Sequence, residues 1–175
     1  MTAPVLPWLE YRWSFDFPVG MFTALLARLR GTPARLEETL RGAGGAAVQR
    51  PDPTKWSAQE HAGHLISVEQ LWQTRVVQYA RQVAVLTAAD MTNRATEGAS
   101  FNDRPLDDVL SDFRTARAVT LSLLEPLNLD EAARAAHHPR LDRQMRLVDL
   151  CFFAAEHDDH HLAVIHALLN PPTDG

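Results

Sequence analysis

Two histidines near the C-terminus have the spacing of a metal site. His157 and His161 are four residues apart in an apolar segment. An α-helix turns by about 100° per residue, so these side chains lie on one face, one turn apart. Two imidazoles at this spacing can bind one metal ion, as in the H-E-x-x-H helices of zinc proteases. A third ligand must come from another segment, and we predict that it is His64.

All three histidines fall on the apolar sides of their helices. Imidazoles that point inward need polar partners, which favours a metal over three solvated rings. Three nitrogen ligands suit Zn²⁺ or Ni²⁺. They also leave a coordination position open for water or substrate, as catalytic metal sites do and structural ones do not.

Other histidines compete for the same role. His61 lies one turn before His64 and is the alternative ligand, or a residue that supports the ligand from beside it. His160 is off the apolar stripe, so we expect it to be exposed. The single cysteine, Cys151, lies on a different face from His157 and is predicted to be a small core residue. The remaining histidines are expected to be structural, exposed or distant from the pair: His137, His138 and His166.

Acidic residues surround the histidine pair. Glu156, Asp158 and Asp159 are expected to accept hydrogen bonds from the ring N–H groups that do not face the metal. Glu60 and Asp158 are candidates for a general base, although helix capping and support of the imidazoles explain them equally well. Three aromatic residues are candidates to line a pocket, or else to form core: Trp56, Trp72 and Phe153.

The composition is that of a soluble globular protein. The 175 residues include 46% hydrophobic and 22% charged residues, and we predict one domain over residues 1–175. A net charge of −5 disfavours nucleic-acid binding. No apolar segment is long enough to cross a membrane, and the N-terminus lacks the run of a signal peptide. With only Cys151 available, no internal disulfide can form, which fits the cytoplasm.

Four amphipathic segments predict an all-α fold, a four-helix bundle. Residues 1–17 are expected to be an extended arm. The first helix follows Pro18, with a kink or break at Gly31-Thr32-Pro33. The second begins with a capping box at Ser57 and Glu60. The third follows Pro105, and the fourth begins near Leu147 and ends at Asn170-Pro171-Pro172.

The connections between these helices are unequal. The polar stretch 87–104 is long, so helices two and three are not expected to form a simple hairpin. Residues 127–145 are predicted to be a mixed connection with a short helix over 130–135, and no strand pattern is present. Arg117 falls on an apolar stripe, where it reaches the surface or meets an internal carboxylate. Glu69 is predicted to form a structural ion pair with Arg75 or Arg117.

At these residues the sequence resembles the DinB/YfiT-like family of metal-dependent proteins. Residues 55–65 match that family's W-S-x-x-E-x-x-x-H-L element, and residues 156–162 match its second histidine segment. Glu69, Arg75, Arg117 and the dipeptide 138–139 also look like family positions. The similarity extends from about Phe17 to Leu169. The sequence departs from the family at Val164, where glutamine is frequent.

The resemblance implies a four-helix bundle with a long crossover connection and a nickel or zinc ion held by His64, His157 and His161. It also implies a homodimer, and in some relatives a low-molecular-weight thiol cosubstrate. We therefore expect a cytoplasmic metal-dependent enzyme with a small-molecule substrate, either a thiol-dependent S-transferase or a metal-assisted hydrolase. In the thiol version the nucleophile belongs to the cosubstrate, because Cys151 is badly placed. The alternative is a non-catalytic, stress-related protein that binds a metal or small ligand.

Overall fold

The computed structural model describes residues 4–171, in which an extended N-terminal arm precedes six helices and one β-hairpin. The elements are α1 (Phe22–Leu40), α2 (Ala58–Ala80), α3 (Arg94–Glu97), α4 (Leu106–Leu124), α5 (Leu129–Ala132), β1 (Ala135–His138), β2 (Arg143–Arg146) and α6 (Leu147–Leu169). Short 3₁₀ turns occupy Trp8–Glu10, Val19–Met21, Gly44–Val48 and Phe101–Asp103. Residues 1–3 of the predicted arm and Pro172 of the predicted terminator lie outside the described residues.

The four long helices form the predicted bundle. α1 packs against α4 and α6, and α2 packs against the same two helices, so α1 and α2 lie on a diagonal. Hydrogen bonds from Gln59 to Arg104 and from Gln73 to Ala116 show that α2 and α4 run parallel. Two consecutive long helices can run parallel only if the segment that connects them returns along the length of the bundle. The prediction of a long crossover connection is therefore confirmed, and the predicted stretch 87–104 lies within the observed connection, residues 81–105.

The sequence predicts a kink or a break at Gly31-Thr32-Pro33; the first helix is continuous, so a break does not occur. Pro33 lies inside α1 and is buried. Proline lacks an N–H group, which leaves the carbonyl of Leu29 without its helical donor. The Nη1 group of Arg117 donates to that carbonyl at 3.0 Å. A side chain from α4 thus supplies the hydrogen bond that proline removes.

The hairpin in the last connection was not predicted. β1 and β2 pair antiparallel with Ala135 opposite Arg146 and His138 opposite Arg143. Each strand has four residues, too few for an alternating pattern to stand out. The sequence predicts that His138 is structural or exposed in a loop, but it lies in β1 and is only 1% exposed. The predicted short helix is also smaller than expected, since α5 ends at Ala132.

A buried polar network joins the helices between two apolar clusters. Arg117 forms ion pairs of 2.6 Å with both Glu69 and Asp158, and all three side chains are at most 1% exposed. The hydroxyl of Thr32 donates to Asp158 at 2.8 Å, and that of Thr120 donates to Glu69. Arg117 therefore meets internal carboxylates, and it is the partner of Glu69.

No helix of the described chain is both long and apolar enough to cross a membrane.

Candidate metal centre

The first turns of α2 position His61 and His64. The backbone N–H of Glu60 donates to the Ser57 hydroxyl, and the Glu60 carboxylate accepts from the Ser57 N–H, so the predicted capping box is present. This cap fixes where the helix begins, and with it the direction of the side chains in the next turn. His64 is 7% exposed and faces α6.

The fold brings the three predicted ligands together. His157 and His161 are 6% and 5% exposed on the side of α6 that faces α2. Their Nε2 atoms are 3.2 Å apart. His64, His157 and His161 each offer a ring nitrogen, and these three nitrogens lie within 4.8 Å of one another. No other group of three metal-binding side chains with such spacing occurs in residues 4–171.

The outward nitrogens of these rings have different neighbours. The Nδ1 atom of His64 lies 3.0 Å from the Thr96 hydroxyl, which leaves Nε2 for the cluster. The Nδ1 atom of His161 lies 2.8 Å from Nδ1 of His61. His61 is thus beside the cluster as a support for His161, which was one of its two predicted roles. The Nδ1 atom of His157 is buried with no hydrogen-bond partner among the described residues.

Burial keeps the cluster uncharged. Desolvation, followed by the charges of His61 and His160, lowers the pKa of His64 to about 4. Desolvation and the neighbouring imidazoles hold the pKa of His157 and His161 well below the ordinary value. Neutral imidazole is the form that binds metals. Three buried neutral rings with convergent nitrogens fit a divalent transition metal, because they offer a nitrogen donor set without cost of deprotonation.

The acidic neighbours do not support the imidazoles, so that expectation is wrong. Glu156 and Asp159 face α1, where both pair with Arg28 and Asp159 also pairs with Arg35. Asp158 belongs to the network around Arg117. The reason is the arginine-rich face of α1, which competes for these carboxylates. A base role for Glu60 is also weakened, because its carboxylate pairs with Arg50 and caps α2.

A cavity of about 520 Å³ opens beside the cluster. Its wall includes all three histidines together with His61 and His160. His160 is therefore partly buried, not exposed as predicted, because the N-terminal arm covers it: its ring centroid lies 5.8 Å from that of Trp8. The three aromatic residues proposed as pocket or core all line this cavity: Trp56, Trp72 and Phe153.

Sequence reasoning missed three residues of the site. Trp8 comes from the arm, and its ring centroid lies 5.1 Å from that of His157. Thr96 comes from α3, and Arg140 from the turn between β1 and β2. No local sequence pattern predicts any of the three, because each lies in the arm or in a connecting segment whose path depends on the whole fold. The cluster of aromatic residues in the arm was the one available signal, and it predicted only packing on the body.

A helical bundle with a buried three-histidine cluster on an open cavity defines a class of proteins equipped to hold a metal ion. The chain belongs to the DinB superfamily, whose family model matches residues 28–165. A solved structure, YfiT from Bacillus subtilis, has the same fold, with a TM-score of 0.76 and 17% sequence identity over 91% of each chain. That protein is described as a probable metal-dependent hydrolase with an unusual four-helix bundle topology. Comparison with curated proteins gives no match.

Proposed function

We propose that this protein is a metal-dependent enzyme that binds one divalent ion, nickel or zinc, through Nε2 of His64, His157 and His161. The observation that carries the proposal is the convergence of three buried nitrogens on an open cavity. The description of YfiT as a probable metal-dependent hydrolase supports the same reading. An ion held at this position would act as a Lewis acid that lowers the pKa of a water or thiol nucleophile.

The residues around the cluster have three tasks in this proposal. Thr96 orients His64 and His61 orients His161, because each of these two rings, when it binds through Nε2, donates its Nδ1–H to that partner. Trp72, Phe153 and Trp8 limit access of water to the cavity. The small-molecule substrate binds among these aromatic rings, and its reacting group faces the histidines.

The nucleophile comes from outside the chain. Cys151 is 3% exposed, and burial raises the pKa of its thiol to about 12, so it stays protonated and inaccessible. We therefore propose water, for a hydrolase, or a low-molecular-weight thiol, for an S-transferase. Among the described residues that line the cavity, the one carboxylate is Asp90, which accepts hydrogen bonds from Thr92 and Arg94.

Metal analysis tests the ligand set. Protein purified without a histidine tag should bind about one nickel or zinc ion per chain, and His64→Ala, His157→Ala and His161→Ala should each lose it. His166→Ala is the matched control, because His166 is exposed on the same helix as two of the ligands. Metal content that is unchanged in His64→Ala would contradict the proposed site.

Measurement of turnover distinguishes the two proposed nucleophiles, water and a low-molecular-weight thiol. The metal-loaded protein is incubated with a panel of esters and other electrophiles, with and without a low-molecular-weight thiol. Hydrolysis without thiol indicates the hydrolase, and stoichiometric consumption of thiol and electrophile indicates the S-transferase. Activity that survives His157→Ala would exclude both. A metal-loaded protein with no turnover would favour the non-catalytic alternative.

The homodimer also stays a prediction. Light scattering, which measures the mass of the protein in solution, tests it.

A further inference from the structure

One guanidinium on the cavity wall has no internal partner. Arg140 lies in the turn between β1 and β2, and its side chain reaches the cavity that holds the histidine cluster. Its Nη2 atom is buried, with no hydrogen-bond partner among residues 4–171. Its Cζ lies 5.2 Å from the ring centroid of Phe153 and 5.7 Å from that of Trp8. The charged group is thus held by aromatic faces and not by an acceptor.

The other inward-facing arginines show what is missing at Arg140. Arg117 is paired with two carboxylates, and Arg75 donates twice to the carbonyl of Thr87, at 3.0 and 2.8 Å. Buried polar atoms in proteins are paired as a rule, and an exception requires an explanation. Burial lowers the pKa of Arg140. Even so, guanidinium stays charged at physiological pH.

The aromatic rings connect this charge to the histidine cluster. Trp8 contacts both Arg140 and His157, with a ring centroid 5.1 Å from the His157 ring. Phe153 lies against Trp8, and its ring centroid is 6.1 Å from that of Trp72. A molecule of drug size fits a cavity of about 520 Å³. Its flat or apolar body can therefore contact these rings while its two ends reach Arg140 and the histidines.

We propose that the cavity selects a small organic anion, and that Arg140 binds its carboxylate. A planar guanidinium matches a carboxylate with two parallel hydrogen bonds, and a single free guanidinium suits a monoanion. Arg75 adds a second positive charge to the wall, and the one carboxylate there, that of Asp90, is already paired with Arg94, so cationic and zwitterionic amines are disfavoured. This inference rests on the proposed function, because it assigns the substrate class of the same cavity.

Ligand binding to the metal-free protein tests the inference. The probes are 3-phenylpropionate and its uncharged isostere 3-phenylpropionamide, and binding is followed by calorimetry and by tryptophan fluorescence. The wild-type protein should bind the carboxylate at least about tenfold more tightly than the amide, as expected for hydrogen bonds to a charged group. Arg140→Gln should lose this preference while it binds the amide within about twofold of the wild type.

Two further variants make the result specific. Arg143→Gln removes the same charge from the same hairpin, but Arg143 is exposed on β2 and does not line the cavity, so the preference should persist. Arg140→Lys keeps the charge without the planar fork and should retain part of the preference. Circular dichroism checks that each variant is folded; replacement at a half-buried turn position leaves the core intact.

Two results would overturn the inference: a wild-type protein that does not prefer the carboxylate, or an Arg140→Gln variant that still does. Neither depends on metal. A protein that fails to bind nickel or zinc but shows the Arg140-dependent preference would therefore refute the proposed function alone. A metal-loaded protein without the preference would refute the anion site alone.

Discussion

At the scale of single residues, the candidate centre depends on polar groups that are not themselves ligands. The usual partner of a ligating imidazole is a carboxylate or a backbone carbonyl. Here the partners are a threonine hydroxyl for His64 and a fourth histidine for His161. The hydroxyl is neutral, and His61 is also uncharged because burial lowers its pKa to about 4. The rings are thus oriented without added negative charge.

Removal of the Thr96 hydroxyl tests this arrangement. Thr96→Val keeps the shape of the side chain but leaves Nδ1 of His64 without a partner, so metal affinity should fall about 10- to 100-fold with one site per chain retained. Competition with a chromogenic chelator measures the affinity. Thr115→Val is the control, because that hydroxyl bonds only the exposed carbonyl of Ser111. Equal affinities for Thr96→Val and wild type would show that the contact has no role in binding.

At the scale of elements, the crossover connection is fastened to the start of α2. Gln59 donates to the carbonyls of Phe101 and Arg104, and the Ser57 hydroxyl bonds Asn102. The ring of Phe101 rests on Gly63 so closely that a Cβ there would lie 2.2 Å from its Cγ. These contacts hold the segment that carries Thr96 against His64. The site therefore depends on a loop that these contacts attach to the start of α2.

Gly63→Ala should loosen this attachment. Alanine is the better helix former by about 1 kcal/mol, but displacing a buried ring to fit the added methyl costs about 1–3 kcal/mol, so we expect a net loss of up to about 2 kcal/mol in the free energy of unfolding. Gly31→Ala is the matched control: a Cβ at this helical position meets nothing within 4 Å. That variant should be stabilised by about 0.5–1 kcal/mol. Urea denaturation measures both, and a stabilised Gly63→Ala would contradict the packing argument.

The same elements show what could be predicted from the sequence. Apolar periodicity located the long helices, and the histidine spacing identified His157 and His161, because both signals repeat within one segment. His64 required a second helix, and its capping box supplied the register. Thr96, Trp8 and Arg140 reach the cavity only through the paths of connections, which no local pattern encodes. The prediction that the carboxylates beside the cluster accept hydrogen bonds from the imidazoles is wrong, since the arginines of α1 that bind them are distant in sequence.

At the scale of the whole molecule, Arg117 joins all four long helices. From α4 it donates to the Glu69 carboxylate of α2, the Asp158 carboxylate of α6 and the Leu29 carbonyl of α1. Asp158 is the immediate neighbour of His157. The network thus ties the position of the histidine pair to the packing of the bundle. It also compensates the proline inside α1.

Arg117→Met should destabilise the fold in a pH-dependent way. Loss of the guanidinium leaves buried carboxylates unpaired, which costs about 3–5 kcal/mol at neutral pH. Burial already raises the pKa of Glu69, and the charge of Arg117 opposes that rise, so the variant should raise it further. A carboxyl whose pKa is higher in the folded than in the unfolded state stabilises the fold at low pH, and this stability is lost as pH rises through the folded pKa. The cost should therefore be smaller at pH 5 than at pH 8 when urea denaturation is measured at both. Arg114→Met is the control: Arg114 lies on the same helix as Arg117, and losing its exposed pair with Glu37 of α1 should cost at most about 1 kcal/mol. An Arg117→Met cost that is independent of pH would show that the guanidinium acts through packing and the Leu29 carbonyl, and not through charge.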